Sequence, residues 1–258
     1  MMLTQAEVHW IVVDQVDSSN SALLEHCRHT PWTGIVAMLA HRQTGGRGRA
    51  GRVWHSAAGQ SLCLSIALPM AGSALPCLPL CAGIGVAQGL TSLGVQSQLK
   101  WPNDILIDGA KVGGILCEAT DTACGPAVVV GIGINIGAVP EQPTAAPSSP
   151  TAPLPRTSLQ AHWPLNKPMP EAQTLAERLL PCVVSAIEAA LNGQQASLMA
   201  QFNSRDVFRG QVVQVWDGPD LHLEGKAWGV GTEGTYLIET AHGLETVLVG
   251  DLSLRSRP

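Results

Sequence analysis

Three short stretches carry most of the residues able to handle a charged ligand. Residues 43–54, QTGGRGRAGRVW, interleave Gly45, Gly46, Gly48 and Gly51 with Arg47, Arg49 and Arg52. Helix and strand both disfavour this composition, because glycine loses the most backbone entropy on ordering. Backbone N–H groups of such a loop can approach phosphate or carboxylate oxygens closely, and arginine adds forked donors. Taken alone, the run fits a loop closing over an anionic small molecule, a solvated surface loop, or a nucleic-acid-binding tract. Residues 100–118, KWPNDILIDGAKVGGILCE, put Lys100 and Lys111 on the flanks of an otherwise apolar hairpin. A lysine in such a place is either a site cation or a side chain that snorkels to solvent. Residues 128–137, VVVGIGINIG, space Gly131, Gly133 and Gly137 as G-x-G-x-x-x-G. A dinucleotide fingerprint needs G-x-G-x-x-G at the start of a helix. The segment AVPEQPTAAPSSP that follows excludes that helix. A strand whose glycines let a flat ligand lie against the backbone fits better. No G-x-x-x-x-G-K-[ST] occurs, which excludes a P-loop ATPase.

The rest of the chain must position these stretches. It has 258 residues, 45% hydrophobic and 14% charged, enough to bury a sizeable core. The net charge of −5 argues against a dedicated nucleic-acid binder, since the positive charge is local. The N-terminal residues lack a basic region followed by an apolar run, so no signal peptide is expected. The longest apolar stretch, residues 74–87, is too short to span a bilayer and contains two prolines. Seven cysteines without a C-x-x-C spacing suggest reduced thiols and a cytoplasmic protein.

Strands are expected at 8–16, 34–42, 60–68, 98–107, 111–120 and 126–136, where β-branched and apolar residues concentrate. DSSN at 17–20 offers capping side chains for a short helix. A small-residue helix is expected at 75–93. Another should start near Glu171, with Leu175, Leu179, Val183 and Ile187 on one stripe. Residues 138–170 carry nine prolines and are expected as an extended surface loop without regular structure. After Arg205, short strands separated by DGP, GTEG and AHG turns predict a small β-barrel. The mixed order of strands and helices predicts an α+β fold: a mixed sheet with packed helices over 1–205, and a small SH3-like barrel over 206–258.

QTGGRGRAGRVW, KWPNDILIDGAKVGGILCE and VVVGIGINI, in this order, resemble the catalytic module of the biotin protein ligase family. VDSSN resembles that family's V-D-S-T-N, and GKAWGVGTEGTYLIET…GDLSLR its small C-terminal barrel. The resemblance covers nearly the whole chain. It implies that ATP and Mg²⁺ convert biotin to biotinyl-5′-adenylate, which a lysine of a biotin carboxyl carrier protein then attacks. The carrier would be the carrier domain of acetyl-CoA carboxylase. By motif matching, Ser18, Ser19, Asn20 and Gln43 are expected to hydrogen-bond biotin. Gly46, Arg47, Gly48 and Arg49 are expected to close over its carboxylate and the α-phosphate. Arg47, Arg49 and Lys111 are the expected catalytic cations, Lys111 also touching biotin. Trp54, Asn103, Gly131, Gly133 and Asn135 are expected on the adenylate side, with Asp104 as a candidate Mg²⁺ contact. The loop is expected to lack order until the ligand arrives. Ser19 stands where the family usually has Thr, and the Pro-rich segment is longer than the family pattern. No helix-turn-helix is found before Val8, so no DNA partner and no membrane partner are expected, while a homodimer is compatible. A lipoate-type acyltransferase of the same fold class, a Gly/Arg nucleic-acid-binding protein and a non-catalytic biotin binder are the alternatives.

Overall fold

Residues 61–68 and 127–130 are buried on both faces, as strands inside a doubly covered sheet must be. The computed structural model describes residues 6–70, 76–139, 154–217, 220–248 and 252–256. Strands β1 (Val8–Val16), β2 (Ile35–Gln43), β3 (Ser61–Pro69), β4 (Gln98–Lys100), β5 (Asp104–Ile107), β6 (Ala110–Thr122) and β7 (Gly125–Asn135) form one sheet. Its order is β1-β2-β3-β7-β6-β5-β4. β1 and β2 run parallel, and the other neighbours antiparallel. A parallel pair needs a crossover, which helix α1 (Ser19–His29) supplies.

Side-chain alternation divides the sheet into two faces. Leu62, Leu64, Ile66 and Leu68 of β3 join Val128, Val130, Ile132 and Ile134 of β7 in the larger core. Helices α2 (Leu78–Leu93) and α3 (Ala172–Leu191) cover this face, and the expected α3 stripe is fully buried. The opposite face carries Ala67 and Val129 against Leu23, Leu24 and Cys27 of α1. The same alternation places Cys63, Ser65, Gly131 and Gly133 on the α1 face.

The second sheet has five antiparallel strands: β8 (Val212–Asp217), β9 (Asp220–Val230), β10 (Tyr236–Thr240), β11 (Gly243–Val247) and β12 (Leu252–Ser256). Its order is β11-β10-β9-β8-β12, and among the described residues no ladder joins β11 to β12. Val213, Val215, Ala227, Tyr236 and Ile238 share one continuous core with α2 and the large sheet. The Trp101 indole N–H donates to Gly234 O at 3.1 Å, and its ring lies 5.6 Å from the Tyr236 ring. The second sheet therefore braces the Trp101–Asn103 turn.

Three expectations change. The strand foreseen at 98–107 is broken by the Trp101-Pro102-Asn103 turn into β4 and β5, which pair with each other; Pro102 has no N–H for a ladder. Helix α4 (Gln195–Asn203) was not foreseen. Part of the Pro-rich segment, 140–153, lies outside the described residues, but residues 154–170 are not a bare loop. Leu159 is fully buried, residues Leu159–His162 form a 3-10 turn, and Pro155 to Thr157 bond to Lys111.

Candidate active site

Ser65 of β3, Gly131 and Gly133 of β7, and Leu116 and Glu118 of β6 share the face below the N-terminus of α1, because ladder partners point the same way. Ser18 caps α1, its hydroxyl accepting from Ser21 N–H at 3.4 Å. Cap geometry turns Ser19 and Asn20 inward, where each is 4% exposed. Gln43 Oε1 accepts from Ser19 N–H at 2.7 Å and lies 3.1 Å from Ser19 Oγ. This orients the Gln43 amide with its NH₂ group away from Ser19. Asn20 Nδ2 donates to Leu116 O at 3.2 Å and Glu118 Oε2 at 2.9 Å. Asn20 Oδ1 accepts from Ser65 Oγ at 2.6 Å. Asn20 is thus bonded within the protein through both ends of its amide, as a pin between α1 and the sheet.

The cations gather at the other end of the same face. On β6, Val112 is an extra residue: Ile105 pairs with Gly113 and Leu106 with Lys111. Such a bulge re-aims the neighbouring side chain. Lys111 consequently shares the face of Asp104, which pairs with Gly114, and its Nζ is ion-paired to Asp104 Oδ1. Lys100 Nζ lies 3.7 Å from Asp104 Oδ2 and 5.9 Å from the Phe208 ring centroid. Burial pushes the Asp104 carboxyl up, but Lys111 and Lys100, with Arg52 adding to them, outweigh it and hold the carboxyl below its ordinary range. Lys111 N–H donates to Pro155 O at 2.8 Å, and Thr157 N–H to Lys111 O at 2.9 Å. This parallel bridge sets Arg156 beside Lys111.

The expected metal role of Asp104 does not fit these surroundings. Mg²⁺ takes free carboxylate oxygens and substrate phosphates, whereas Asp104 is held by two lysines. Among the described residues no group of three His, Cys, Asp or Glu side chains could hold an ion. Asn103 Nδ2 donates to Ile115 O at 2.8 Å and Asn135 Nδ2 to Thr157 O at 3.0 Å. Both asparagines therefore fasten loops to the sheet. The Cys63 thiol, on the site face, is pushed up to about 11 by burial, against hydrogen bonds from Ser56 and Gln43, so it stays protonated.

The Gly/Arg loop folds back on itself between these ends. Arg47 and Val53 form a bridge, Gly48 N–H donates to Arg52 O at 2.7 Å, and Trp54 N–H donates to Gly46 O at 2.8 Å. Ala50 and Gly51, at φ 52° and 68°, make the turn. Arg47 Nη2 donates to Ser21 Oγ at 2.9 Å and to Glu118 at 3.1 and 3.3 Å. The Trp54 indole packs directly on Gly133, where an added Cβ would sit 2.6 Å from the ring. Its buried Nε1 has no partner. The flat group against these glycines is therefore the protein's own: Trp54 on Gly133 and the Asn20 amide on Gly131. The structure brings Ser19, Gln43, Arg47, Trp54, Lys111 and Asp104 to one face. It adds Ser65, Glu118, Arg52 and Arg156, which motif reading passed over. Glu118 lay inside a quoted motif, and Ser65 was the only polar residue inside the apolar stretch 62–68.

Polar side chains at one end of a sheet face, a cation cluster at the other and a Gly/Arg loop between them are the parts that a ligase activating an acid with a nucleotide needs. Residues 12–135 match the biotin/lipoate A/B protein ligase family. The chain is 30% identical to the biotin--[acetyl-CoA-carboxylase] ligase of Mycobacterium tuberculosis, over 93% of this chain and 87% of that protein. It is 29% identical to the bifunctional ligase/repressor BirA of Bacillus subtilis, over 95% of this chain and 74% of that one. The solved biotin protein ligase from Aquifex aeolicus in complex with biotin and ATP superposes with a TM-score of 0.77 at 27% identity. That match covers 96% of this chain and 99% of the other. The chain belongs to the biotin protein ligase family.

Proposed function

We propose that this protein joins biotin to a lysine of a biotin carboxyl carrier protein in two steps. A biotin carboxylate oxygen attacks the α-phosphorus of ATP, pyrophosphate leaves, and biotinyl-5′-adenylate forms. The neutral lysine amine of the carrier then attacks the acyl carbon. AMP leaves, the amine gives up a proton, and an amide remains. The observation that carries this reading is the shared sheet face, with the Ser19–Gln43 pocket at one end and Lys111, Lys100 and Arg52 at the other.

Ser19 and Gln43 take the ureido edge of biotin. The Gly46–Arg49 segment, with the Arg47 and Arg49 guanidiniums, receives the carboxylate and α-phosphate, the Gly48 N–H exchanging Arg52 O for the ligand. Arg47 must exchange Glu118 for the ligand to do so. Lys111 stabilises the charge developing at the anhydride, and Asp104 keeps its ammonium on the site face until then. Trp54 covers the intermediate and excludes water. Asn103, Asn135, Gly131 and Gly133 shape the adenylate side by fastening the backbone. ATP would bring Mg²⁺ bound to its phosphates, where the ion would neutralise their charge, and among the described residues none is assigned to it. Among the described residues no helix is long and apolar enough to cross a membrane.

The test is to mix protein, biotin, ATP, Mg²⁺ and the carrier domain of an acetyl-CoA carboxylase. Intact-mass measurement should show one biotinyl group per carrier, and none without ATP. Transfer of lipoate or octanoate in place of biotin would move the assignment to the lipoate-type reading.

A further inference from the structure

Ser65 belongs to no motif, yet it is fully buried in the middle of β3, with its hydroxyl on the α1 face. Its Oγ lies 2.6 Å from Asn20 Oδ1 and 2.8 Å from Ser19 Oγ. Counting protons fixes the direction of these bonds. Asn20 Nδ2 faces two acceptors, Leu116 O and Glu118, so the amide cannot be reversed and Oδ1 must accept. The one Ser65 proton therefore goes to Asn20. The Ser65–Ser19 contact then needs the Ser19 proton, and 2.8 Å is the usual length for such a bond. Among the described residues, the other acceptor within reach of that proton is Gln43 Oε1 at 3.1 Å. With either partner, the Ser19 proton is committed within the protein, and its oxygen is left with only lone pairs to offer a ligand. That is the polarity a ureido N–H requires.

We propose that Ser65 is a positioning residue for biotin. It anchors the Ser19 hydroxyl and the Asn20 amide together, so that the pocket presents an acceptor at a fixed place. The proposal rests on Ser19 and Gln43 being the ureido contact. Without the Ser65 hydroxyl, Asn20 Oδ1 is left unpaired in a buried place and the Ser19 hydroxyl loses its shorter bond. The ligand that suffers is biotin. ATP, whose cations lie at the other end of the face, does not depend on Ser65.

Ser65→Thr and Ser65→Val add nearly the same volume at this position, so the difference between them isolates the hydroxyl. Ser65→Ala supplies the deletion without added volume, should the larger variants fail to fold. Biotin affinity is read by calorimetric titration, and adenylation by pyrophosphate release at saturating and limiting biotin. The Val and Ala variants should bind biotin about tenfold or more weakly than the hydroxyl-bearing proteins. Their KM for biotin should rise to match, with KM for ATP and kcat within about twofold of the wild type. Equal biotin affinity in Thr and Val variants, or in Ala variant and wild type, overturns the proposal. So does a loss confined to kcat. If the wild type itself binds no biotin, the functional reading falls first, which the same titration shows separately.

Discussion

Replacing Asp104 with Asn removes one charge that two lysines share. The Lys100 side chain is 10% exposed and Lys111 is 26% exposed. Lys111 can swing toward water, but Lys100 is enclosed beside Phe208 and would lose its ion pair with Asp104, with only part of its charge answered by the field of Asp206. Breaking a buried pair by removing one partner costs about 3–5 kcal/mol, and the partial exposure of Lys111 argues for about 3. For a chain of this length that corresponds to a fall in Tm of about 6–12 °C. The pH dependence adds a sign. The Asp104 carboxyl is held below its ordinary range. Its stabilisation is therefore complete above the unfolded value of about 4 and is lost as pH falls through the folded value. Thermal unfolding of wild type and Asp104→Asn should differ fully near about pH 7 and converge in acid below about pH 4. The double variant Asp104→Asn with Lys100→Met removes both enclosed charges and should recover most of the stability, while pyrophosphate release stays impaired because Lys111 lacks its guide. A loss under about 1 kcal/mol at neutral pH, or a gap that persists unchanged in acid, would refute the reasoning.

Lys111→Ala should behave in the opposite way. Asp104 keeps Lys100, so the unfolding temperature should move little, while adenylation should fall by about 10²–10³-fold as expected for one oriented cation; pyrophosphate release within threefold of wild type would remove Lys111 from the mechanism. Gly131→Ala should abolish biotin binding with the fold retained, because its Cβ would collide with the Asn20 amide; unchanged titration of biotin into a folded variant would show that the Asn20 pin does not matter to the pocket.

The local sequence determined the elements and their order. Period-2 and period-3.6 patterns placed β3, α2, β7 and α3 within a few residues, because each buries a continuous apolar stripe that any chain of that pattern must hide. The DSSN cap and the Gly/Arg run were also legible, since capping and turn chemistry are local. The break at Trp101–Asn103 was less legible, because the Trp101 side chain in that turn is held by Gly234 and Tyr236 from the second sheet and its connecting turn. What only the tertiary structure decided was which side chains share a face and which partners they already hold. Ser65 enters the pocket because β3 pairs with β7 and packs on α1. Asp104 meets Lys111 because the single extra residue Val112 turns that lysine from the core side of β6 to the site side. A strand's side chains alternate with a period of two, so one inserted residue reverses a side chain's direction. Whether a residue is inserted depends on the partner strand, which the local sequence does not specify.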